Sequence, residues 1–115
     1  MDLKTCFVAL NADYSGVLSR LKSEAFVSRL LKKFLADPNY KKLEESLAAK
    51  DYEGAFLAAH TLKGVTLTLG LSQLSARAIA LTEALRNKNA SEYPMLFASL
   101  AHEYEFTMSV LIQLD

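Results

Sequence analysis

One turn of a predicted helix contains a nucleophile, a cation and a position without a side chain, which are His60, Lys63 and Gly64. A neutral imidazole is a competent nucleophile at physiological pH. Residues three and four positions apart are neighbours on a helix surface, so the Lys63 ammonium and the space at Gly64 flank the ring. An ammonium in that position can interact with negative charge beside the ring. The pattern favours a functional role for an exposed imidazole.

Gly64 is unusual because it interrupts the interior of a helix. A glycine there costs about 1 kcal/mol relative to alanine. The choice is rational where another molecule must approach the helix closely, and an absent side chain beside His60 opens a path to the ring.

The surrounding segment predicts which side of this helix faces the core. At about 100° per residue, one side carries an apolar stripe formed by Ala55, Ala58, Leu62, Val65 and Leu69. His60 falls on the opposite side and is therefore predicted to be exposed. The alternative is a surface histidine without a role.

Three apolar residues lie on the histidine side of the same helix: Phe56, Leu57 and Leu67. Apolar side chains around a charged centre suggest a docking surface for a partner. The alternative is that the first helix or the loops cover these residues.

Helical periodicity extends over most of the chain, without the alternation or tight-turn pairs that strands require. Helices are predicted over about Asp13–Leu21, Ser23 to Asp37, Pro38–Lys50 and Tyr52–Leu69. A fifth is predicted from the Ser72 cap to the polar run Asn87-Lys88-Asn89, and a last one from Ser91 onward. Short connections favour antiparallel neighbours. We therefore expect a single all-α domain over residues 1–115, an up-and-down bundle with a four-helix core plus one or two short N-terminal helices.

Individual residues predict where these helices begin, end and pack. Asn11 or Asp13, then Asp51 and Ser72, are the expected N-caps, and Gly70 is the expected helix stop. The expected core face of the last helix comprises Phe97, Ala101, Tyr104, Met108 and Leu111.

Composition excludes several classes of protein. The 115 residues carry 13 basic and 13 acidic side chains, so the zero net charge gives no general attraction to nucleic acid. Cys6 is the only cysteine and cannot form an internal disulfide; it is expected to be a small buried hydrophobe. No segment has the roughly 20 apolar residues of a membrane span, and we expect a cytoplasmic protein.

The run His60-Thr61-Leu62-Lys63-Gly64, followed by Leu69-Gly70, resembles the signature of histidine-containing phosphotransfer (HPt) domains. Asp51 before the motif helix and Leu81-Thr82-Glu83 on the next one extend the likeness, over about Asn11 to Leu114. The resemblance implies that His60 is the phosphoacceptor. It also implies that Lys63 stabilises phosphoryl charge and that Gly64 gives a partner steric access.

The same resemblance implies a phosphocarrier of a two-component phosphorelay. Its partners would be response-regulator receiver domains and a sensor (hybrid) histidine kinase. The chain would have no kinase activity, cofactor or metal of its own, with Mg²⁺ held by the receiver domain, and we expect a monomer. The family often has small residues after the motif glycine; Val65, Thr66, Leu67 and Thr68 are larger and would tune which receiver docks.

Four functions are compatible with the sequence to different degrees. A free phosphotransfer protein, the same module of a larger hybrid or chemotaxis-type kinase, and a phosphorylation-independent helical adaptor all fit an exposed His60. An enzyme with a site in the bundle core is disfavoured, because no paired carboxylates or Glu-x-x-His ligands occur. His102 is expected to be an ordinary surface histidine.

Overall fold

A computed structural model describes residues 1–115, which form seven α-helices and no strand. The helices are α1 (Leu3–Ala9), α2 (Tyr14–Leu21), α3 (Glu24–Phe34), α4 (Asn39–Ala48), α5 (Tyr52–Thr68), α6 (Ser72–Arg86) and α7 (Tyr93–Leu111). A 3-10 turn, Ala90–Glu92, precedes α7. The predicted all-α fold class is confirmed, with α1 and α2 as the short N-terminal helices.

Side-chain caps start four of these helices. Asp2, Asp13, Ser23 and Asp51 each accept a hydrogen bond from the backbone N–H three residues later, at 2.8–3.2 Å. Such a cap satisfies a backbone donor that the helix itself leaves free and contributes about 1 kcal/mol. The predicted caps at Asp13 and Asp51 are therefore confirmed.

The predicted cap at Ser72 is wrong. α6 begins at Ser72 itself, after Leu71, whose backbone occupies the cap position. The Ser72 hydroxyl instead donates to the Gly70 carbonyl at 3.3 Å. The reason is the tight reversal between α5 and α6: Gly70 takes a left-handed conformation, with φ of 70°, and Leu71 is buried as an apolar anchor.

Short connections bring consecutive helices together: α5 packs against α4 and α6, and α6 packs against α7. Ala55, Ala59 and Leu62 of α5 are fully buried in one continuous hydrophobic core. The two alanines let neighbouring helices approach α5 closely. Cys6 is also fully buried, as expected, and burial raises the pKa of its thiol.

An aromatic cluster joins α3 and α4 to α7. The Tyr40 ring stacks on Tyr104 with centroids 3.8 Å apart and on Phe97 at 5.7 Å. Phe34 meets Tyr104 edge-on at 6.4 Å. These contacts lie far apart in the sequence and fix α7 against the earlier helices.

The predicted face of α7 is confirmed in part. Leu111 is buried, and Phe97, Tyr104 and Met108 are half-buried and pack against the hydrophobic core. The other buried residues of α7 were not predicted: Tyr93, Leu100, Thr107 and Val110. The buried surface is wider than one stripe because α6 packs against α7, as does the Tyr40 ring of α4.

Candidate functional site

Helix α5 carries the candidate site, and its core side fixes which residues face outward. Leu62 is fully buried, and Ala58 and Leu69 are nearly so, as the predicted stripe requires. The structure departs from the predicted stripe at one position. Val65, which was predicted to face the core, is only half-buried, and the next residue, Thr66, is fully buried instead. The Thr66 hydroxyl tolerates burial because it donates to the Leu62 carbonyl at 2.8 Å.

His60 lies on the opposite side of α5 and is exposed, as predicted. Its imidazole stacks on the Phe56 ring, with centroids 5.8 Å apart and planes 17° apart. The side chain therefore stands on the protein surface with an aromatic ring beside it, and solvent or a partner can reach it.

Lys63 is half-buried one turn beyond His60. All three ion pairs of the chain lie elsewhere, so no carboxylate of the protein neutralises the Lys63 ammonium. A cation that lacks a protein partner remains available for an incoming anionic group.

Gly64 opens the other flank of the histidine. A Cβ placed at Gly64 would have no other atom within 4 Å, so no packing within the chain requires glycine there. The space continues into a cleft of about 530 Å³ between α3 and α5. The cleft is lined by Leu30, Lys33, Phe34, Asp37, Thr61, Gly64, Val65, Thr68 and Leu69.

The three predicted docking residues differ in exposure. Leu57 is 59% exposed and Leu67 is 48% exposed, so neither the N-terminal helices nor the loops cover them. Phe56 is half-buried between His60 and Arg86, whose guanidinium carbon lies 5.3 Å from the Phe56 ring centroid. Docking through these residues remains a prediction.

Two arginines near the site were not identified from the sequence. Arg20 of α2 donates to the carbonyls of Leu67 and Thr68, at 3.1 and 3.2 Å. Arg86 of α6 lies over Phe56. Both contacts join different helices, and no local spacing rule predicts them.

Other candidate groups lie apart from this site. His102 is exposed on α7, as expected for a surface residue. No three His, Cys, Asp or Glu side chains come together as a set of metal ligands. None of the helices combines the length and the apolar character needed to span a bilayer.

Comparison with protein families gives one match, the model of the Hpt domain, over residues 30–107. The matched region begins in α3, ends in α7 and contains all of α5 with His60, Lys63 and Gly64. Comparisons with curated proteins and with solved structures find no match. Because the family match covers about two thirds of the chain, this protein belongs to the Hpt domain family, whose members are histidine phosphocarriers of phosphorelays.

Proposed function

We propose that His60 accepts a phosphoryl group from the aspartyl phosphate of one receiver domain and passes it to the aspartate of another. The observation that carries this proposal is the arrangement on α5: an exposed imidazole, a half-buried cation one turn away and an open flank at Gly64. Membership of the Hpt domain family supplies the general class of reaction.

The transfer requires one bond to form as another breaks. An imidazole nitrogen donates its lone pair to phosphorus, the bond from phosphorus to the aspartyl oxygen breaks, and the carboxylate leaves with that electron pair. The proton on the second ring nitrogen passes to solvent, which leaves a neutral ring. The reverse reaction returns the group to a different aspartate.

Lys63 and Gly64 have separate parts in this proposal. The Lys63 ammonium offsets negative charge on the transferring phosphoryl oxygens, which is the main form of assistance that phosphoryl transfer needs. Gly64 leaves room for the partner surface that surrounds the acceptor aspartate. The receiver domain would supply the Mg²⁺.

The exposed Leu57 and Leu67 would provide apolar contacts with the receiver domain beside the reacting groups. In the cleft next to Gly64, Lys33 would add electrostatic attraction to an acidic receiver surface. We propose that the protein acts as a monomer in the cytoplasm, without kinase activity, as a single domain over residues 1–115. A sensor (hybrid) histidine kinase would supply the phosphoryl group at the start of the relay.

A receiver domain radiolabelled on its aspartate tests the proposal. The protein should gain an acid-labile, base-stable label, and His60→Gln should abolish it. His102→Gln is the matched control, because His102 is the other histidine and is also exposed. A label retained by His60→Gln would contradict the proposal. Receiver binding without any label would favour the adaptor alternative.

A further inference from the structure

The ring of Phe56 is held in place from two sides within the protein. On its own helix it stacks with His60, four residues later, at a centroid distance of 5.8 Å and an interplanar angle of 17°. Offset rings at this separation attract each other. Helix side chains lean toward the N-terminus, so the imidazole leans over the turn that carries Phe56.

The second contact comes from the neighbouring helix. The Arg86 guanidinium carbon lies 5.3 Å from the Phe56 ring centroid, within the range of a cation–π interaction. The Arg86 Nε also lies 3.3 Å from the Glu83 Oε1, one turn earlier on α6. Arg86 is thus oriented by its own helix while it contacts Phe56 on α5.

We propose that Phe56 is a positioning residue for His60 and that Arg86 holds Phe56 in place. Stacking restricts the imidazole to one orientation before a partner arrives, with its edge toward the incoming phosphoryl group. The inference rests on the proposed role of His60 as phosphoacceptor.

Restriction of the ring matters because His60 is exposed. A histidine on an open helix face samples several rotamers, and only some of them align a ring nitrogen with phosphorus. A partner would have to select the productive rotamer at each encounter, which slows transfer. A ring that is ordered in advance removes that step.

This role differs from direct docking. The Phe56 ring is half-buried and already contacts two side chains of its own protein, whereas Leu57 and Leu67 are exposed. Loss of a docking residue lowers affinity for a receiver. Loss of a positioning residue lowers the rate with any donor, including one too small to touch Phe56.

Phosphoramidate is a donor that makes this distinction. The imidazole nitrogen bonds to phosphorus, the P–N bond of the donor breaks, and the protonated amine leaves as ammonia with the electron pair of that bond, while the second ring nitrogen releases its proton to solvent. Phe56→Leu keeps an apolar side chain but removes the flat ring, and should slow labelling of His60 about two- to tenfold. Phe56→Tyr keeps the ring and should label at the wild-type rate. Phe26→Leu is the matched control, since Phe26 is a half-buried phenylalanine under an arginine on α3.

Arg86 is tested in the same assay. Arg86→Gln should slow labelling about two- to fivefold, because it removes the cation over Phe56. Arg29→Gln is its matched control, since the Arg29 guanidinium carbon lies 5.4 Å from the Phe26 ring centroid. That variant should label at the wild-type rate.

Nuclear magnetic resonance provides a readout that needs no phosphoryl transfer. In the wild type, side-chain couplings of His60 should report one dominant rotamer, and its ring protons should carry a ring-current shift from Phe56. Phe56→Leu should remove the shift and average the couplings.

If Phe56→Leu leaves both the labelling rate and the His60 couplings unchanged, the positioning role is overturned. The proposed function would still stand in that case, provided that a receiver domain labels the wild type. The opposite result is also possible: no receiver domain labels the wild type, but Phe56→Leu still disorders the His60 ring. That result would refute the proposed function and leave the positioning role intact. An equal loss of rate in Phe26→Leu would also overturn the positioning role, since that loss would be general.

Discussion

Arg20 donates a hydrogen bond to the main-chain carbonyl of Leu67, 3.1 Å away, although the two residues lie 47 positions apart. A second bond from the same nitrogen reaches the Thr68 carbonyl at 3.2 Å. The last carbonyls of a helix lack partners within it and carry partial negative charge. A cation from α2 therefore satisfies the C-terminal end of the helix that carries His60.

Removal of that cation should weaken the join between α2 and α5. We expect Arg20→Ala to lower the free energy of unfolding by about 1 kcal/mol, a modest value because the side chain is exposed. Urea unfolding followed by circular dichroism measures the change. Arg20→Lys should recover part of the loss, since it keeps the charge. An unchanged midpoint in Arg20→Ala would show that these bonds contribute nothing to stability.

Gly64 and Gly70 should respond in opposite ways to alanine. Gly64→Ala should raise the free energy of unfolding by about 1 kcal/mol, because alanine is the better helix former and its Cβ meets no atom within 4 Å. Gly70→Ala should lower it by about 1–2 kcal/mol, since φ there is 70° and a Cβ would lie 3.0 Å from the Asp13 carbonyl oxygen. Thermal unfolding of the two variants measures whether the free energy of unfolding rises or falls in each. A destabilised Gly64→Ala would mean that this glycine has a packing role.

A large side chain at position 64 should block the approach of a receiver domain without changing the reactivity of the His60 imidazole. We expect Gly64→Gln to fold at least as stably as the wild type and to lose most transfer from a labelled receiver domain. Labelling by phosphoramidate should persist, because that donor is small enough to reach the imidazole from another side. Equal loss with both donors would contradict a role in partner access.

Lys63 should affect the rate of transfer rather than the fold. Lys63→Ala should slow phosphoryl transfer about tenfold, a limited effect because a half-buried charge is partly screened by solvent. Lys63→Arg should retain most of the rate. Single-turnover transfer from a saturating labelled receiver measures the effect, with Lys41→Ala, an exposed lysine on α4, as the control. A Lys63→Ala rate equal to that of the control would remove the assigned role.

The aromatic cluster should make stability fall at alkaline pH. Burial raises the pKa of Tyr40 and of Tyr104, so the folded protein disfavours their ionised forms. The native state then holds more protons than the unfolded state, and the free energy of unfolding falls as pH rises above about 10. Urea unfolding at pH values of about 8 and about 11 measures the slope.

Replacement of both rings by phenylalanine should flatten that slope. Three other groups contribute in the same direction and remain in the variant. Their pKa values are raised mainly by a hydrogen bond to Glu24 for Tyr14, by burial for Cys6, and by a hydrogen bond to Asp115 for the Met1 amino group. The slope of Tyr40→Phe/Tyr104→Phe should therefore decrease without vanishing. A slope equal to that of the wild type would assign the alkaline loss to those other groups.

Local patterns predicted the positions of α2 to α7 and the exposed face of α5, but they did not locate α1 (Leu3–Ala9). The carboxylates of Asp13 and Asp51 cap their helices as the sequence indicates, and the apolar stripe of α5 places His60 outside. These features depend on neighbours within a turn or two, which periodicity and cap preferences describe well.

Contacts between distant segments were beyond such rules. Arg20 reaches the end of α5 and Arg86 reaches Phe56 only because the bundle brings separate helices together. Local rules also left Gly54 without an explanation: a Cβ there would lie 2.4 Å from the Asp51 carboxylate that caps the helix. Glycine thus gives the cap room, which depends on geometry rather than on spacing.

The exposure of His60 has a consequence for the direction of phosphoryl transfer. No segment of the chain covers the imidazole, and its flank at Gly64 is open. A phosphoryl group carried there would be as free to depart as to arrive, and no closed state would store it. The protein would then act as a passive, reversible connection, with net flow set by mass action between the phosphorylated and unphosphorylated pools of its partners.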